Sequence, residues 1–113
     1  VQAMRLRSRT RVEVEKLFER VDLIFSPTTN SPPKKVGELD PFVLTEPTRS
    51  ASAEAFNLAA CPALSLPCGF NKEHLPIGLQ LAAKPMNEQI LLNTAYAYQE
   101  ATELYREHPP FQA

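Results

Sequence analysis

A chain of 113 residues with a formal charge of -1 suits one domain, which at this length buries roughly two-thirds of the surface its unfolded form exposes. Twelve Lys and Arg against thirteen Asp and Glu build no basic field, so nothing calls for nucleic acid or an anionic membrane as a partner. No apolar run approaches the ~20 residues of a membrane span and no secretory leader is visible, so the expected setting is soluble and cytoplasmic.

Val14, Leu17, Phe18 and Val21 recur at helical spacing and predict an opening helix with a buried stripe. Arg9 with Glu13 and Arg11 with Glu15 are i,i+4 pairs on its wet side. Arg5, Arg7, Arg9 and Arg11 crowd the N-terminal half, where the helix dipole disfavours cations, and no capping residue precedes them. With no Met at position 1, the expectation is a helix that begins upstream in a longer polypeptide; the arginine run reads as a solvated face. Val21 to Pro27 predict a first strand. Thr28 and Thr29 follow at its carboxyl end, where parallel-sheet enzymes build sites, although hydroxyls in such a turn also cap backbone. The stretch 30–47 carries Pro32, Pro33, Pro41 and Pro47 and predicts an ordered excursion, tucked down by Phe42, Val43 and Leu44.

Ser50 suits the N-cap of a helix to about Ala60, on which Ser50, Ala53, Glu54 and Asn57 share one face. Ala63 to Leu66 form an apolar run without alternation, which predicts a strand covered on both faces and stopped at Pro67-Cys68-Gly69. Ile77 to Ala83 predict a second strand of a hairpin-like or neighbouring pair; Gly78 within it suggests close backbone approach, and the lone amide of Gln80 requires a hydrogen bond. Asn87 caps the last helix, with Glu88 in its first turn. Leu91, Ala95, Tyr98, Thr102 and Tyr105 form its stripe, widened by Ile90, Thr94, Ala97, Ala101 and Leu104. His108-Pro109-Pro110 is expected to end it, His108 serving as a charge complement to the helix terminus.

Candidate chemistry is sparse. Cys61 and Cys68 lie about 23 Å apart if extended at ~3.3 Å per residue, against the ~6 Å that a disulfide tolerates, and read as small buried hydrophobes. With His74 and His108 they give no zinc spacing, and neither a metal nor a cofactor is expected. The serines 26, 31, 50, 52 and 65 have no activating neighbours in sequence, and Lys16, Lys34, Lys35, Lys72 and Lys84 suggest no base.

The run Asn57-Leu58-Ala59-Ala60-Cys61-Pro62-Ala63-Leu64-Ser65-Leu66-Pro67-Cys68-Gly69-Phe70, followed by Leu75-Pro76-Ile77-Gly78-Leu79-Gln80, resembles the C-terminal part of the amidase signature family. Asp22-Leu23-Ile24-Phe25-Ser26-Pro27-Thr28-Thr29 before it and Lys84-Pro85-Met86-Asn87-Glu88 after it extend the likeness over nearly the whole chain. The resemblance implies an α/β fold, here a partial mixed sheet of two to three strands covered by two long helices and one short helix, in a single segment 1–113. It also implies amide chemistry by a Ser, cis-Ser, Lys triad whose Gly/Ser-rich signature lies upstream, whereas the glycines here are 37, 69 and 78, with no Gly-Ser-Ser run. No catalytic residue is therefore assigned. In relatives the helix corresponding to Ser50–Ala60 lines the substrate pocket, which makes Ser50, Ala53, Glu54 and Asn57 pocket candidates beside Thr28 and Thr29, chosen for their place at the end of the first strand. Ala60 replaces the family's usual Gly at the end of that helix; if the left-handed geometry persists, alanine costs about 1 kcal/mol.

The expected function is the C-terminal part of an amide hydrolase, converting a small carboxamide to carboxylate plus ammonia or amine, and inactive alone. The missing N-terminal catalytic half, or self-association, is the expected partner, because a cut sheet leaves open edges and bare apolar faces. Two alternatives stand beside it. The A subunit of a glutamyl-tRNA amidotransferase shares the C-terminal pattern, although Ser52, Ala53 and Glu54 stand where that group has Asp and Thr. The other is a non-catalytic, stand-alone or oligomerising module.

Overall fold

A computed structural model of the chain describes residues 1–33, 35, 37 and 51–108. Helix α1 spans Gln2–Leu17 and leads into strand β1, Leu23–Pro27. Helix α2 occupies Ala51–Ala59, followed by strands β2 at Ala63–Phe70 and β3 at Pro76–Ala83. Helix α3, Glu88–Thr102, and a 3₁₀ turn at Leu104–Arg106 complete the order. The expected α/β class and inventory hold, with two long helices, a short one and three strands, but the mixed sheet does not, since the described strands pair only antiparallel. Ser50, Phe42, Val43 and Leu44 lie outside the described residues, as do most of the Pro-rich stretch and Pro109-Pro110.

The strands form one sheet in the order β1-β3-β2, and both pairings are antiparallel. β2 and β3 are a hairpin, so the neighbouring-pair expectation resolves to the tightest case. Their connection is shaped by Asn71, whose Oδ1 accepts hydrogen bonds from the backbone N–H groups of Glu73 and Leu75, each at 2.9 Å. Prolines fall within the two outer strands, where a missing N–H costs no ladder bond, and only at the first residue of the central one.

The pleat of β3 divides the core. Leu79, Leu81 and Ala83 point to one side and meet Leu66, Leu91 and Ala95, with Leu23, Leu64, Ile90 and Tyr98 packed around them. This layer seats α3. Ala82 points to the opposite side and joins Val14, Phe56 and Ala59, flanked by Phe18, Ile24 and Cys61. There α1 and α2 lie on the sheet, and the Arg7 Nε donates to the Leu58 carbonyl at 3.3 Å between them.

Several expectations need correction. α1 ends at Leu17, and Leu17 and Val21 are 54% and 46% exposed, so only Val14 and Phe18 of the proposed stripe pack inward. Arg11 pairs with Glu15 as expected, at 2.9 Å, but Glu13 pairs with Lys16 at 3.1 Å rather than with Arg9. β2 does not stop at Pro67; it continues to Phe70 through a register shift at Cys68, with Gly69 at a φ of 146°. Nor are both faces of Ala63–Leu66 covered, because Ala63 and Ser65 are exposed among the described residues. α3 stops at Glu103, in left-handed geometry at φ 52°, so His108 lies beyond the helix and complements no terminus. Thr102, Ala97 and Ala101 are exposed, leaving a narrower stripe of Leu91, Ala95, Ile90 and Tyr98. Asn87 holds the N-cap position without a side-chain capping bond.

A hydroxyl and amide row as candidate functional site

The face of the sheet that carries Ala82 changes character along the strands. At the Ile24, Ala82 and Ala63 row it is apolar, and α1 and α2 pack against its Ile24 and Ala82. One row further, the register aligns Ser26, Gln80 and Ser65 across all three strands. Gln80 is only 5% exposed, and its Oε1 accepts a hydrogen bond from Ser26 Oγ at 3.4 Å. The carbonyl end of the amide thus has a partner from within the protein, as a buried polar group requires.

The next row brings Thr28 and Gly78 together. The Thr28 N–H donates to the Gly78 carbonyl at 2.9 Å, and the Thr28 Oγ1 lies 2.6 Å from Ser65 Oγ, either hydroxyl being able to donate. Gly78 has the close neighbour that a strand glycine suggests, but beyond the ladder bond this neighbour is a pair of side-chain hydroxyls. Thr29 turns away: its Oγ1 donates to the Ser31 carbonyl at 3.1 Å, the backbone-capping role open to it. Residues 29–33 form one wall of a cleft of about 220 Å³, and Asn71 with Leu75, Pro76, Ile77 and Gly78 forms the other.

Of the sequence candidates, Thr28 and Thr29 therefore stand at the cleft end of the sheet. Ala53 is half-buried on α2, while Glu54 and Asn57 are exposed there, and none of them lines that cleft. Sequence reasoning does not find Ser65, Ser26 and Gln80 as a set. Each is the lone polar residue in a short apolar context, and only the strand register shows that the three share a row.

The site is uncharged. Among the described residues, no group of three His, Cys, Asp or Glu could hold a metal ion. The thiol of Cys61, behind the apolar row, is pushed up by burial and further by the Glu15 carboxylate, with Arg11 opposing. Such a thiol is protonated at neutral pH and serves packing. No helix among the described residues is long and apolar enough to cross a membrane.

This layered arrangement recurs in solved structures of longer chains. 6-Aminohexanoate cyclic dimer hydrolase superposes with a TM-score of 0.78 at 27% identity, over 88% of this chain and 23% of that one. The A subunit of glutamyl-tRNA(Gln) amidotransferase from Thermotoga maritima superposes with a TM-score of 0.67 at 28% identity, over 74% of this chain and 18% of that one. The Amidase family model matches residues 1–92, and the chain belongs to that family. Among curated relatives, the glutamyl-tRNA(Gln) amidotransferase A subunits of Thermodesulfovibrio yellowstonii and Oceanobacillus iheyensis are 40% and 39% identical, each over 95% of this chain. The chain spans about 22% of the length of those two relatives.

Proposed function

We propose that these 113 residues are one segment of an amidase-type hydrolase that converts a neutral carboxamide to a carboxylate and ammonia or an amine. The observation that carries this reading is the uncharged set of Ser26, Gln80 and Ser65 in one row with Thr28 in the next, on the sheet face that leads to Gly78 at the cleft, in a chain of the amidase family. Hydroxyls and a side-chain amide both donate and accept, which matches the C=O and N–H of a neutral amide better than a charged site would. In this reading the whole enzyme's pocket takes Thr28 and Thr29 on its sheet side and Ser50, Ala53, Glu54 and Asn57 on its helix side, a larger pocket than the cleft described above, which Ala53, Glu54 and Asn57 do not line. The nucleophilic serine and its lysine come from residues outside this segment, since no serine here has an activating neighbour in sequence. The segment's partner is accordingly the catalytic portion of the same enzyme.

The test compares two polypeptides on a panel of neutral carboxamides, following ammonia release. The full-length protein is expected to turn over at least one of them, and the 113-residue segment none. Serine-dependent turnover by the segment alone would sink this assignment.

A second reading is favoured by the 40% and 39% identities to amidotransferase A subunits. In that case the full-length protein would release ammonia from glutamine and pass it to glutamyl-tRNA. Ser52, Ala53 and Glu54 argue for the hydrolase instead, because they replace the Asp and Thr expected before the Asn57 block. Glutaminase activity that rises when partner proteins and charged tRNA are added would establish the second reading over the first.

A further inference from the structure

The outer strands β1 and β2 do not pair with each other; each pairs with β3. Backbones two strands apart lie roughly 9.5 Å from each other, twice the ordinary inter-strand spacing. Short side chains such as Thr and Ser do not span that gap over an intervening side chain. Thr28 and Ser65 nevertheless meet at 2.6 Å, directly above Gly78.

A β-carbon on Gly78 would sit 2.8 Å from Thr28 Oγ1, 3.0 Å from Ser65 Oγ and 3.1 Å from Thr28 Cβ. The last contact is the decisive one. A hydroxyl can rotate away, but Cβ is fixed to the backbone, so Thr28 itself would have to move. Gly78 has no positive φ, which means the glycine is needed here for space rather than for an unusual backbone angle.

We infer that Gly78 is a positioning residue: its bare Cα lets the Thr28 and Ser65 hydroxyls bridge the sheet, and the bridge fixes segment 29–33 as a wall of the cleft. Thr28 is the hinge of this device. It is tied down by the hydroxyl bridge and by its own N–H to the Gly78 carbonyl, and the cleft wall begins at the next residue. The consequence for substrate rests on the carboxamide reading above, whereas the bridge and its hold on the wall do not. Thr28 and Ser65 therefore act on the fit of the amide, and KM is the parameter they set.

The experiment uses the full-length protein with Gly78→Ala, Thr28→Val and Thr28→Ser. Hydrogen exchange at the Thr28 amide is expected to quicken about threefold in Gly78→Ala and Thr28→Val, the loss expected from one exposed hydrogen bond. With a neutral carboxamide turned over by the wild type, KM is expected to rise about fivefold in the same two variants with kcat within about twofold. Thr28→Ser, which restores the hydroxyl, brings both readouts back toward wild type. Thr28→Val adds no atom above the glycine, so it carries the comparison should Gly78→Ala fail to fold. Unchanged exchange in Thr28→Val overturns the bridge, and faster exchange with unchanged KM, or with a fall in kcat alone, overturns the positioning role. If the wild type hydrolyses no carboxamide, the functional reading fails by itself, and the exchange comparison still decides whether the bridge holds the wall.

Discussion

Ala60 shows how one residue can sit against its own conformational preference. It follows α2 at a φ of 57°, and the backbone N–H groups of Ala60 and Cys61 close back on the carbonyls of Asn57 and Phe56 at 3.2 and 3.0 Å. That paired closure is the Schellman arrangement, in which glycine is the usual left-handed residue. The packing of Cys61 beside Phe56 supplies the accompanying apolar contact. The geometry therefore persists without its glycine, because the two backbone bonds and the buried contact hold it. Ala60→Gly is expected to raise stability by about 1 kcal/mol, measured as a shift in the denaturant midpoint at constant slope. No gain would mean that the closure is not strained by the β-carbon. This residue is legible in the sequence, since position and conformation both follow from a helix end. Ser65 is not, because its meaning depends on Thr28, 37 residues away in sequence.

Among elements, β3 organises the molecule, since its alternate residues supply both cores. Leu81 is fully buried against α3, whereas Leu17, at the end of α1, is 54% exposed. The helical spacing assigns Leu17 an inward role, and the structure turns it outward while it buries Leu81. Leu81→Ala is expected to cost about 2–5 kcal/mol through lost contacts and a residual cavity, and Leu17→Ala within about 0.5 kcal/mol of zero. Chemical denaturation of both variants checks the contrast, and equal losses would contradict the layer assignment. Helix α1 departs from its pattern for a physical reason. Its periodic apolar residues run past its end at Leu17 into the turn before β1, where helical spacing no longer sets direction.

The described residues do not close their own sheet. Neither outer edge, of β1 or of β2, has a strand beside it among them. Phe25 is 60% exposed and Ile77 44%, and they line an apolar groove with Leu79 and Cys68 on the α3 side. Open edges joined to bare apolar surface favour association. The 113-residue segment made alone is accordingly expected to self-associate or bind an apolar dye, as seen by sedimentation and fluorescence. A thermally stable monomer that binds no dye would contradict the view that neighbouring residues complete the sheet.

Taken alone, the sequence determined which elements form and of what kind, and, through the ordered blocks around Asn57, Gly78 and Met86, the family. Those properties are written in local spacing, turn chemistry and short motifs. Only the tertiary structure decided which strand is central, that all pairings among the described strands are antiparallel, that Ser26, Gln80 and Ser65 share one row, and that Thr28 and Ser65 meet over one glycine. Side chains from three strands become neighbours through register. Register is fixed by hydrogen bonds between distant segments, which no local pattern records.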